Sequence, residues 1–159
     1  GSHALAAGGG TLFFDMPLNS TPCTTSAAHV EAKRAALEAS SVADFGVWGG
    51  LVPSSVGDMA GMAECGVVGF KAFMCDSGLS DFPCADDRTL RDGMRAAVRL
   101  GLPVAVHAEH EETTRRLADA MTGSASTHLR AACPSVIPRP SWRNFSVSIF
   151  CSPSMAIAY

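Results

Sequence analysis

Residues 66–78 read GVVGFKAFMCDSG. Residues 67–74 (VVGFKAFM) form an apolar, β-prone run, and Lys71 sets an ammonium in the middle of it. Downstream, a polar loop through CDSGLSDFPC leads into ADDRTLRDGMRAAVRLG (85–101). That stretch has acids in its first turn and arginines later, as a helix dipole prefers. The unit is therefore a strand, a loop and a helix.

The same unit recurs on both sides. TLFFDMP (11–17) is strand-like and stopped by Pro17, and SAAHVEAKRAALEAS (26–40) predicts a helix with Ser26 as its N-cap. DFGVWGGLV (44–52) predicts a strand, followed by a shorter helix over 54–66 that ends at Gly66. LPVAVHAE (102–109) and EETTRRLADAMTG (111–123) make a further strand and helix. The opening GSHALAAGG reads equally as a small-residue helix stopped by glycines and as the remnant of a cleaved tag.

Strands that alternate with helices at this spacing pair in parallel, because a crossover helix brings the next strand in alongside the last. Strands apolar along their whole length are covered on both faces. A doubly wound sheet and a (β/α)8 barrel both fit the periodicity. No GxGxxG or P-loop follows the first strand, and the glycines at 8–10 precede it, so the barrel is the leading expectation. The fold class read here is α/β, about four strand–helix units of a TIM-type barrel with a parallel sheet.

Composition narrows function by exclusion. The 159 residues are 47% hydrophobic with a net charge of −3, and mean hydropathy is +0.19. That balance gives no electrostatic pull toward nucleic acid or an anionic membrane. No apolar run reaches the length of a membrane span and no secretion signal opens the chain, so the cytoplasm is the expected location. Six cysteines, without a CxxC pair or a regular spacing, read as reduced thiols.

In parallel α/β folds, function gathers at the C-terminal ends of the strands. Those ends are polar here: Asp15 on the first, Trp48 and two glycines on the second, Lys71 on the third, His107 and Glu109 on the fourth. Singly, Asp15 reads as a turn cap, Trp48 as core, Lys71 as a rim lysine and His107 as a satisfied buried histidine. Jointly, a lysine and a histidine on successive parallel strands point into one mouth.

The stretches DMPLNSTP, GVWGGLVP, GVVGFKAFM and LPVAVHAE, in this order and at these separations, resemble the cyclic amidohydrolases, most closely the allantoinases, over residues 4 to 120. Dihydroorotases share a related turn and lysine strand, and hydantoinases differ in the first turn. The resemblance implies a metal-dependent hydrolase with a small cyclic amide as substrate, two Zn2+ ions per complete site and a homo-oligomeric family. It also implies that Lys71 reacts with CO2 to give a metal-bridging carbamate and that His107 is a metal ligand. Asn19 matches a substrate-orienting amide, whereas Glu109 and His110 match nothing and read as solvated rim residues.

The family's His-x-His pair should lie upstream of residue 1, and its further histidine and aspartate base beyond about residue 130. His128 sits in no strand-like context. A non-catalytic, degenerate barrel that acts by binding is the alternative. Residues 1–123 are read as the partial barrel and 124–159 as an atypical tail. All 15 acidic residues fall at or before Asp119, and Pro134, Pro138 and Pro140 crowd the tail. A shifted reading frame is the expectation that fits so abrupt a change, ahead of a divergent or a disordered extension.

Overall fold

The computed structural model describes residues 1–109, 111–122 and 148–151. The elements in order are α1 (Ser2–Ala7), β1 (Leu12–Asp15), α2 (Ala27–Ser40), β2 (Asp44–Val47), β3 (Gly49–Gly50), α3 (Met59–Glu64), β4 (Phe70–Phe73), α4 (Asp87–Leu100), β5 (Val104–His107), α5 (Glu111–Thr122) and β6 (Ser148–Cys151). The strand–helix units form where the apolar runs and caps place them. Ser26 Oγ accepts the His29 N–H at 3.3 Å to start α2, and Asp86 Oδ1 accepts the Thr89 N–H at 2.8 Å to start α4. Gly101 closes α4 in the left-handed region at φ 70°. One cap crosses between units: Asp58 Oδ2 accepts the Ala27 N–H at 2.7 Å, putting a carboxylate against the start of α2.

β1 pairs in parallel with β2, β3 with β4, and β4 with β5. The order of neighbours follows the chain, without the reversal that marks a doubly wound sheet, and this is the order of a barrel wall. The single strand expected over 44–52 is divided at Trp48. Its first half bonds to β1, ending with the Trp48 N–H on the Asp15 carbonyl at 3.0 Å. Its second half bonds toward β4, from the Gly49 N–H on the Gly69 carbonyl to the Leu51 N–H on the Lys71 carbonyl. Passing the ladder from one neighbour to the next with an offset is the stagger that lets a sheet curve toward closure.

The pairing of β6 with β5 is antiparallel, Val104 opposite Cys151 and His107 opposite Ser148. An all-parallel sheet is thus corrected at one edge, where the short apolar segment SIFC satisfies backbone groups that β5 would otherwise leave open. No strand was expected within 124–159. The 123/124 boundary, His110, His128 and Cys133 lie outside the described residues. Among the described residues no helix is long and apolar enough to cross a membrane, and Cys23, Cys65, Cys75 and Cys84 are free thiols.

Alternation along the strands sorts side chains to two faces. Phe70 and Ala72 of β4 and Val104 of β5 join Val30 of α2, Met59 and Met62 of α3, and Ala96 and Ala97 of α4 in one buried cluster. Each large side chain buried there contributes about 1.5–3 kcal/mol. The opposite face carries Lys71, Phe73 and His107. The loops after β1 and β4 meet over it, where Cys23, Val52 and Phe82 pack with Leu18, Phe73 and Leu79. The Cys23 N–H donates to Asp81 Oδ2 at 2.9 Å and ties the two loops together.

Gly50 sits where this second cluster meets the sheet. A Cβ there would lie 2.6 Å from Phe82 Cε2 and 3.2 Å from the Thr24 carbonyl oxygen, and Phe82 is fully buried. Gly50→Ala should therefore lower stability by about 1–3 kcal/mol in urea unfolding. Gly57→Ala, where a Cβ meets nothing within 4 Å, should leave the midpoint nearly unchanged. Equal midpoints for the two variants would contradict the packing described.

Candidate metal centre

Lys71 and His107 arise on neighbouring strands whose register sets Lys71 opposite Ala105 and Phe73 opposite His107. The two expected metal-site residues therefore share a face, two residue pairs apart along the ladder. Phe73 lies between them: its ring stacks on the His107 imidazole at 4.6 Å and 6° between planes, and the Lys71 Nζ lies 5.1 Å from its centroid. Phe82 meets the Phe73 ring edge-on at 6.0 Å. The histidine is oriented by stacking, and the lysine approaches an aromatic face suited to a cation.

Lys71 is 5% exposed. Burial pushes its ammonium below the ordinary lysine value, with the neighbouring Cys75 acting weakly in the opposite direction. An amine that loses its proton more readily is a better nucleophile toward an electrophile such as CO2. The ladder holds firm past this point, because the Met74 N–H donates to the His107 carbonyl at 3.0 Å and the Glu111 N–H to the Met74 carbonyl at 3.2 Å.

Two residues that motif reading passed over join the site. Cys75, His107 and Glu109 bring their ligand atoms within 4.8 Å of one another, and Glu109 Oε1 is 3.4 Å from His107 Nε2. Glu109 is at the rim, as expected from its side-chain exposure of 57%, but it faces the histidine and not only solvent. The signal for both was their place in the chain, two residues past the ends of the two strands that carry Lys71 and His107. Desolvation, and then the negative charges of Glu109 and Glu111, push the Cys75 thiol upward.

Asn19 is exposed in the loop after β1, with a positive φ of 58° that asparagine tolerates well. Its neighbour Leu18 packs in the cluster that contains Phe73. Asp15 belongs elsewhere. It pairs with Lys33 of α2 at 2.5 Å, on the helix side of β1, and Lys33 also donates to the Met16 carbonyl at 2.7 Å. Trp48 is buried, as its core reading expects.

Comparison with known proteins bears on this arrangement directly. The chain is 68% identical over 117 residues to an allantoinase from Solibacter usitatus, covering 74% of the chain and 26% of that protein. It is 51% identical over 130 residues to an allantoinase from Deinococcus radiodurans, covering 82% and 29%. The chain belongs to the cyclic amidohydrolases. Among solved structures, the L-hydantoinase of Arthrobacter aurescens superposes with a TM-score of 0.75 at 28% identity, over 79% of this chain and 28% of that one. No family model matches the chain. It spans between a quarter and a third of the length of these relatives, and the four parallel strand–helix units are part of a (β/α)8 barrel.

The lowered Lys71 pKa has a measurable consequence. The unfolded chain binds a proton at Lys71 up to about pH 10.4, whereas the folded chain releases it earlier. Between those two values the unfolded state holds more protons, so folding stability rises with pH. Relative to Lys71→Met, the native chain should gain stability as pH is raised from about 7 toward about 10, followed by urea unfolding at each pH. Parallel curves for the two proteins would show that Lys71 titrates normally.

Proposed function

We propose that the chain supplies the carbamate lysine, Lys71, and one histidine ligand, His107, to the binuclear zinc centre of an enzyme that opens a cyclic amide, converting allantoin to allantoate. The observation that carries this reading is a buried lysine of lowered pKa sharing a strand face with a histidine, both against Phe73. The donor set fits the group: an amine able to become a carboxylate-like carbamate, and an imidazole held in place by stacking. When bound, two divalent cations acidify water and polarise the ring carbonyl.

The chain's own residues prepare for that chemistry. The neutral Lys71 Nζ forms an N–C bond to CO2, one proton leaves to solvent, and the product carries two oxygen donors in place of the amine. Burial favours the uncharged amine that this step requires. The loops joined through Cys23 and Asp81 cover Phe73 and keep water from the inner end of the site. Asn19, exposed in the loop after β1, would hydrogen-bond a substrate amide. Allantoin is favoured over hydantoins or dihydroorotate because identity to an allantoinase reaches 68%, against 28% for the L-hydantoinase structure. Free thiols among the described residues fit a cytoplasmic setting, and a homo-oligomer is in keeping with the family.

Seating residues 4–120 in the Solibacter usitatus allantoinase, in place of its matching segment, tests the reading. The chimera should hydrolyse allantoin, and Lys71→Ala or His107→Asn within it should cut turnover by more than about 100-fold. Turnover of hydantoin or dihydroorotate in preference to allantoin would reassign the ring, and an unaffected Lys71→Ala chimera would remove the lysine from the mechanism. A chimera inactive on all three would favour the non-catalytic alternative. The isolated chain should show no turnover even with zinc added, since Lys71 and His107 are too few donors to hold two cations.

A further inference from the structure

We propose that Cys75, His107 and Glu109 form a three-ligand site for a single zinc-class divalent cation, one that does not require the Lys71 carbamate. Its basis is placement. Cys75 lies in the bend two residues past the end of β4 and Glu109 two residues past the end of β5, and the ligand atoms of Cys75, His107 and Glu109 lie within 4.8 Å of one another. The Met74–His107 and Glu111–Met74 backbone bonds, together with the Asp76 N–H on Glu111 Oε2 at 2.5 Å, hold both segments at this point.

The geometry is near that of a bound cation. Zinc bonds of about 2.3 Å to sulfur and about 2.0–2.2 Å to nitrogen or oxygen put tetrahedral donors about 3.3–3.6 Å apart. The His107–Glu109 pair is already at 3.4 Å, and no pair in the trio exceeds 4.8 Å. The donors are chemically matched: a thiolate, an imidazole and a carboxylate select a borderline-soft cation over Mg2+ or Ca2+. Cys75 is 7% exposed whereas Glu109 is open to solvent, so the inner wall is dry and the fourth position faces water. On binding, the Cys75 S–H bond breaks, its proton leaves to buffer, and the sulfur electron pair forms the metal bond.

The site shares His107 with the proposed amidohydrolase centre, but its other two donors, Cys75 and Glu109, are not the ones that centre uses, so it does not need the Lys71 carbamate.

Titration of the full chain with Co2+ tests this, read by near-ultraviolet thiolate-to-cobalt charge transfer. One equivalent should produce the band, Cys75→Ser should abolish it, and Cys65→Ser should leave it intact. The band should also persist in Lys71→Met, which separates this site from the lysine-dependent centre. Its loss in that variant, its absence from the native chain or its survival in Cys75→Ser would overturn the assignment. Should Cys75→Ser fail to fold, alkylation of the native chain decides instead. Saturating Co2+ should protect Cys75 from iodoacetamide and leave Cys65 reactive, and equal labelling of Cys75 with and without Co2+ would overturn the proposal.

Discussion

The register between β4 and β5 is the constraint on which the rest depends. Parallel pairing sets Phe73 opposite His107, and strict alternation then assigns one face to the helices and the other to chemistry. A slip of one residue would exchange the two sets. Phe70, Ala72 and Val104 would leave the apolar cluster, and Lys71 and His107 would enter it unpaired. Burial of the large apolar residues thus selects the one register that also brings the lysine and the histidine together. Core energetics and site geometry have the same cause.

Holding a lysine in an apolar wall runs against its solvation, and the chain makes that arrangement tolerable in two ways. The Phe73 face lies 5.1 Å from the Lys71 Nζ, which softens the loss of water around an ammonium. The depressed pKa lets the proton leave at less cost than in solvent. The loops after β1 and β4 pack over Phe73 on this face and are tied to each other by the Asp81 carboxylate on the Cys23 amide. The same bond keeps the Asp81 carboxyl below its usual range, so the tie is fully present at neutral pH and weakens only in acid.

The cysteine beside the site gives it a second character. The candidate donors cluster at the ends of two strands, with Cys75 two residues past Phe73 and Glu109 two residues past His107. Their closeness is a property of two staggered strand ends, with no contribution needed from other parts of a barrel. One imidazole therefore stands within reach of two different donor sets.

Much of the fold was legible in the sequence because its signals are local. Apolar β-prone runs and the Ser26 cap each act within a few residues, and each formed where it was read. Lys71 and His107 were legible as odd polar residues in apolar strands. Non-local contacts were not. Trp48 divides one strand into two because the hydrogen-bond ladder changes partners there. β6 pairs antiparallel with β5 from more than 40 residues away, and Glu109 turns from a rim acid into a neighbour of His107 once a side-chain direction is set. Sequence determined which segments are strands and helices, since propensity and capping are short-range. Only the tertiary structure decided which side chains meet, because register, loop closure and burial join residues that the chain keeps far apart.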